Sequence, residues 1–160
     1  TLSGLWVFLT YVAGLSAMTS INLIENMSFY HFIFMLTGFL LWVVGFVIEI
    51  LADNQKKIFR ENPSNKGKFI SSGLWAWSRH PNYFGEIILW LGIAIIAFPS
   101  MEGGEFLGLI SPLFVYVLLT KISGIPMLEK SSDNKWGLEE DYIKYKKTTP
   151  ILFLKKPNSN

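Results

Sequence analysis

In the stretch EILADNQKKIFR, Glu49, Asp53, Lys56 and Arg60 recur at intervals of four, three and four residues. On a helix this spacing makes one charged stripe, with two carboxylates leading and two cations following. Such a stripe could clamp a phosphate on its cations while acceptors stand deeper in. It could equally be a solvated face with ion pairs such as Asp53 with Lys57, each contributing about 0.2–0.5 kcal/mol. A second group lies in NKGKFISSGLWAWSRHPNYFGE. Gly73 and Pro81 interrupt helical continuity, so a loop is expected there, then a helix starting near Pro81 or Asn82, where the missing proline N–H is harmless. Free N–H groups at a helix start attract anions, and Arg79 adds a planar fork for phosphate or carboxylate. The alternatives are ordinary membrane-edge roles. Arg79 could snorkel to lipid phosphates, His80 could cap a neighbouring carbonyl, and Trp75, Trp77 and Tyr83 could form an interfacial aromatic belt.

Glu86 stands about one turn inside an apolar run, where a charge costs a few kcal/mol on insertion scales, so it requires a partner or a purpose. A buried pair with Lys or Arg is one solution. A proton-bearing carboxyl facing a bound substrate is the other, with Trp90 on the same helical face. The third group is the tail GIPMLEKSSDNKWGLEEDYIKYKKTTP, in which Glu129, Asp133, Trp136, Tyr142 and Tyr145 supply acceptors and aromatic surfaces among many cations. An amphipathic helix on anionic lipid would explain the lysines but not the aromatic spacing. His31 and His80 are the two histidines and cysteine is absent, so no metal site is expected. GxGxxG, GxxxxGK[ST] and GxSxG are absent as well.

The elements that must position these groups follow from hydropathy. The chain has 160 residues, 51% of them hydrophobic and 16% aromatic, with a mean hydropathy of +0.36, which marks a membrane protein. Apolar runs near 2–24, 29–51, 84–99 and 106–120 predict four transmembrane spans, the last two relying on tilt or close packing. Gly38 and Gly45 are small residues on which a neighbouring helix could pack. Six Lys and Arg fall within residues 52–80 and eight within 121–160. By the positive-inside tendency, segments 52–83 and 121–160 are therefore cytoplasmic, in a bacterial inner membrane or the endoplasmic reticulum. The fold expected is all-α: a polytopic membrane helix bundle of about four spans with a cytoplasmic helical and loop region. Residues 1–160 read as one transmembrane domain, and an opening directly inside an apolar run suggests the C-terminal part of a longer chain. KKPNSN reads as a tail.

SRHPNYFGEIILW, then SGIPMLEK and WGLEEDYIKYKKTTP, resemble the membrane-embedded steroid 5-alpha-reductase family, in particular its bacterial branch DUF1295, over roughly residues 49–153. Isoprenylcysteine carboxyl methyltransferases resemble the same elements, so the resemblance implies NADPH or, alternatively, S-adenosylmethionine. NQKKIFR and the Asp53 to Arg60 spacing look like elements of sterol reductases and steroid 5-alpha-reductases, and favour NADPH. By that resemblance Asp53, Lys56 and Arg60 would contact the adenosine phosphates. Trp75, Arg79, His80, Asn82 and Tyr83 would line the cofactor toward the nicotinamide, and Glu129, Trp136 and Tyr142 would close the site. Glu86 would serve as catalytic acid and, with Trp90, contact the substrate. The family's further acid and tyrosine come from preceding helices, for which Tyr11, Tyr30 and Glu25 are the nearest candidates. The activity implied is reduction of a conjugated carbon-carbon double bond in a steroid-like or long-chain enone. A lipid-modifying methyltransferase and a non-catalytic lipid- or sterol-binding module are the alternatives. The expected partners are a lipophilic small molecule and membrane lipids, without nucleic acid.

Overall fold

The computed structural model describes residues 28–157, and among these the regular elements are all helical. The expected span 2–24, with Tyr11 and Glu25, lies outside the described residues. Three helical runs, Phe29–Glu61, Pro81–Ser100 and Gly103–Trp136, are long and apolar enough to cross a membrane.

Helix α1 (Phe29–Glu61) has 33 residues. At 1.5 Å per residue it is about 50 Å long, so it outruns roughly 30 Å of hydrocarbon by several turns. Its continuation past residue 51 follows from the lack of any Gly or Pro before Pro63. Asn62 then turns the chain, its side-chain oxygen accepting from the Ser64 N–H at 3.0 Å at the start of a 3₁₀ turn, Pro63–Asn65. Beside the charged stripe Lys57 meets Glu61 at 3.9 Å, one turn later than the Asp53 to which the sequence pointed. Helix α2 (Pro81–Ala97) begins on its proline.

The run expected as a span over 106–120 is not one regular α-helix. It comprises a 3₁₀ stretch (Gly103–Leu109), helix α3 (Ile110–Val117) and a π turn (Leu118–Ile122). Pro112 has no N–H to offer the carbonyl of Gly108, which favours the tighter 3₁₀ turn before it. Glu102 and Glu105 cap that stretch reciprocally, Glu105 accepting from the Glu102 N–H at 3.0 Å. Helices α4 (Ile125–Trp136) and α5 (Glu140–Thr148) divide the tail that the sequence left as one amphipathic segment.

The described residues fall into two compact units, 28–45 with 87–118 and 46–86 with 119–157. In the first, α1 meets α2 backbone to backbone. A Cβ on Gly38 would come within 2.6 Å of the Gly92 carbonyl oxygen, and one on Gly92 within 2.7 Å of the Trp42 nitrogen. Ser111 and Val115 of α3 are buried, while Phe39, Leu40 and Val44 of α1 are at least half exposed, as side chains facing lipid would be.

The second unit is fastened through loops. Gln55 of α1 accepts from the Leu74 N–H at 2.9 Å, and Gly73, at φ +60°, lies so close that a Cβ would strike the Gln55 amide. This fixes a 3₁₀ turn, Gly73–Ala76, beside α1. The Trp75 indole donates to the Ala52 carbonyl at 2.9 Å, and the Tyr145 hydroxyl to the Trp75 carbonyl at 2.6 Å.

Candidate functional site

Within the second unit a cavity of about 160 Å³ opens between the end of α1, the loop before α2, and helices α4 and α5. Lys56 and Arg60 reach it from α1, one turn apart on the stripe. Lys68, Phe69, Trp75, Arg79 and His80 come from the loop, Glu129, Lys135 and Trp136 from α4, and Tyr142 and Tyr145 from α5. Five cationic side chains and one carboxylate thus share the wall. That imbalance suits an anion.

The one carboxylate organises its neighbours. Glu129 pairs with the Arg79 guanidinium through Nη1, with His80 Nε2 at 2.9 Å and with Lys146 Nζ at 3.4 Å. A carboxylate oxygen only accepts, so His80 Nε2 carries its hydrogen. This is a different role from capping a carbonyl. Lys146 also meets Asp133 at 2.6 Å, and the Tyr142 hydroxyl donates to Asp133 at 3.2 Å. Two nitrogens on these side chains remain buried without a partner: Arg79 Nε and His80 Nδ1. An unsatisfied buried polar atom costs about 1–3 kcal/mol.

Aromatic rings form much of the rest of the wall. Phe69 touches Trp136, Tyr142 and Tyr145 at ring distances of 6.0, 5.2 and 5.4 Å. The Trp136 indole donates to the Gly67 carbonyl at 2.6 Å, joining α4 to the loop. Lys56 Nζ lies 4.6 Å above the Trp75 ring. Burial, and then the carboxylates of Asp133 and Glu129, push the Tyr142 phenol up to about 12. Burial raises the Tyr145 phenol further. Both hydroxyls are therefore neutral donors throughout the physiological range.

Of the residues singled out in the sequence, Lys56, Arg60, Trp75, Arg79, His80, Glu129, Trp136 and Tyr142 come together here, while Asp53, Asn82, Tyr83 and Glu86 stand outside this wall. Trp75 is buried, at 4% exposure, which removes it from an interfacial belt. Tyr83 stacks on His80, with centroids 5.8 Å apart and planes 12° apart. Gly124 leaves room for its ring, since a Cβ there would come within 3.0 Å. Tyr83 also stands near a second polar group, made of Glu49, Asp53 and Glu86. Trp90 is buried one turn beyond Glu86 on α2. Phe69, Lys68, Lys135 and Lys146 escaped the sequence reading. They sit in segments whose relevance appears only when distant parts of the chain meet.

Comparison with known proteins shows the family. A probable O-methyltransferase, ustE, from Ustilaginoidea virens is 36% identical over 81 residues, which is 51% of this chain and 27% of that protein. The mouse (Mus musculus) 3-oxo-5-alpha-steroid 4-dehydrogenase 1 is 33% identical over 114 residues, covering 70% of this chain and 40% of its own. A Delta(14)-sterol reductase of Arabidopsis thaliana is 32% identical over 66 residues, covering 35% and 18%. The chain therefore spans less than half the length of each of these relatives. No solved structure matches. The family model described as a protein of unknown function, DUF1295, matches residues 2–149. The chain belongs to the DUF1295 family, the branch to which RHPNYFGE and the aromatic, acidic tail pointed.

Proposed function

We propose that this chain carries the cofactor-binding part of an integral-membrane reductase that uses NADPH on a conjugated carbon-carbon double bond of a lipophilic enone. The observation that carries the reading is the wall of five cations and one carboxylate. A dinucleotide with three phosphate groups needs such cations, whereas a lone sulfonium favours carboxylates and bare aromatic faces. Here the Trp75 face is already covered by the Lys56 ammonium.

Lys56, Arg60, Lys68 and Lys135 would neutralise the phosphates, and Glu129 would keep Arg79 turned toward them. A cavity of about 160 Å³ is smaller than the roughly 300–1,000 Å³ of a drug-sized pocket, so it would take one phosphate-bearing part of the cofactor. The remainder would run past His80 and Tyr83 toward the acidic group. Bound in this way, NADPH would supply the hydride. Tyr83 and Asn82 would orient the ring that carries it, and Glu86, among Glu49 and Asp53, would hold a proton near the enone oxygen, alone or with a group from the remainder of the protein. The cavity would face the cytoplasm, on the side of the basic segments.

Titration of the detergent-purified full-length protein with NADPH and, separately, with S-adenosylmethionine tests this. Micromolar NADPH binding that Arg60→Ala weakens by roughly tenfold is expected, the loss of one charge-assisted contact. Binding of S-adenosylmethionine alone, indifferent to Arg60, would instead support the methyltransferase reading. The likeness to ustE keeps that second reading in view.

A further inference from the structure

Residues 150–155 form a strap laid along the loop that leads into α2. The Arg79 N–H donates to the Pro150 carbonyl at 2.9 Å, the Ser78 hydroxyl to the Leu152 carbonyl at 2.8 Å, and the Lys155 N–H to the Trp77 carbonyl at 3.0 Å. Lys155 is thus part of the fold, although the sequence placed it in a loose tail. Leu152 is buried, while Ile151 and Phe153 on either side of it are 42% and 69% exposed. The Phe153 ring meets Phe84 edge-on at 6.2 Å. Phe84 belongs to the first turn of α2, so Phe153 sits at the level where a membrane-spanning helix begins and still leaves most of its surface uncovered. Trp77, bonded to the same strap, is 39% exposed. Aromatic rings at such a level belong among lipid headgroups, where a ring can be half in hydrocarbon.

Lys155, bonded to the Trp77 carbonyl, also enters a groove of about 270 Å³ whose wall includes Lys144, Lys156, Thr148 and Thr149. It contains no carboxylate and shares no residue with the cavity described above. Three ammonium groups share that wall without a carboxylate, and Glu139 and Asp141 line the adjoining groove that Lys144 also enters, so Lys155 and Lys156 carry the excess charge. We propose that this groove binds the phosphate headgroup of an anionic phospholipid of the surrounding bilayer, with Trp77, Ile151 and Phe153 seated in the adjoining interface. A zwitterionic lipid brings its own ammonium to the lysines, so a headgroup with net negative charge is preferred. Near such a surface each lysine strengthens binding by roughly fivefold.

The test is native mass spectrometry of the full-length protein released from micelles holding equal phosphatidylglycerol and phosphatidylcholine. The wild-type protein is expected to retain phosphatidylglycerol preferentially, and Lys144→Gln, Lys155→Gln and Lys156→Gln together to reduce that preference by roughly tenfold or more. All three lysines are exposed, so glutamine leaves the fold intact, and the wild-type preference is measured without any variant. Equal retention of the two lipids by the wild type overturns the proposal, as does a preference unchanged in the triple variant. Loss of the preference on adding millimolar inorganic phosphate at constant ionic strength would assign the groove to free phosphate, and would overturn it too.

Discussion

In the unit of residues 28–45 and 87–118, two helices meet where Gly38 and Gly92 omit their side chains. In the unit of 46–86 and 119–157, side chains fasten the chain by donating to backbone carbonyls: Trp75 to Ala52, Trp136 to Gly67, Tyr145 to Trp75 and Ser78 to Leu152. The solvent accounts for the difference. Lipid is as apolar as leucine, so helices there associate by close fit, with backbone groups already satisfied inside each helix. Loops outside lipid carry free carbonyls, and an indole or phenol can satisfy one while its ring fills space.

The comparison can be broken at several points. Glu129→Ala should have the largest effect, because it strips Arg79 and His80 of their shared carboxylate and leaves Lys146 with Asp133 alone. A loss of about 3–5 kcal/mol is expected from denaturation in detergent. A loss no larger than the roughly 1 kcal/mol of an exposed ion pair would mean that water screens the cluster. Gly92→Val should cost about 1–3 kcal/mol by forcing the helix backbones apart. A neutral result in thermal unfolding would show that the helices do not depend on that approach. Tyr145→Phe removes one hydrogen bond and keeps the ring, so about 1 kcal/mol is expected, with the aromatic cluster intact by near-ultraviolet circular dichroism. Lys57→Ala should change stability by no more than about 0.5 kcal/mol, since both partners of its pair with Glu61 are well exposed.

The sequence was legible where structure is local. Twenty or so apolar residues define a span, Pro81 starts a helix because of its own ring, and the absence of breakers carries α1 to Glu61. The three- and four-residue spacing likewise brought Lys56 and Arg60 to one wall. The remainder depends on meetings between distant residues. Gln55 with Leu74 lies 19 residues apart, and Ser78 with Leu152 lies 74 apart, and neither leaves a periodic trace. The expected span over 106–120 broke into 3₁₀, α and π turns because Pro112 and three glycines act on hydrogen bonds that a hydropathy average does not register. Helix phase put Asp53 on one stripe with Lys56 and Arg60, yet it could not tell that Asp53 stands outside the cationic wall that those two enter.

The strap sets an order of events in biosynthesis. The loop carrying Arg79 and His80 leaves the ribosome some 70 residues before the segment whose carbonyls fix it. Helices α1 and α2 can enter the bilayer during that interval, with the loop between them tied to α1 through Gln55 and Trp75 but not yet to the strap. When Pro150 to Lys155 arrive, Trp77, Ser78 and Arg79 gain their remaining hydrogen bonds. A chain interrupted before the strap would still insert α1 and α2, but Trp77, Ser78 and Arg79 would lack the hydrogen bonds that the strap supplies.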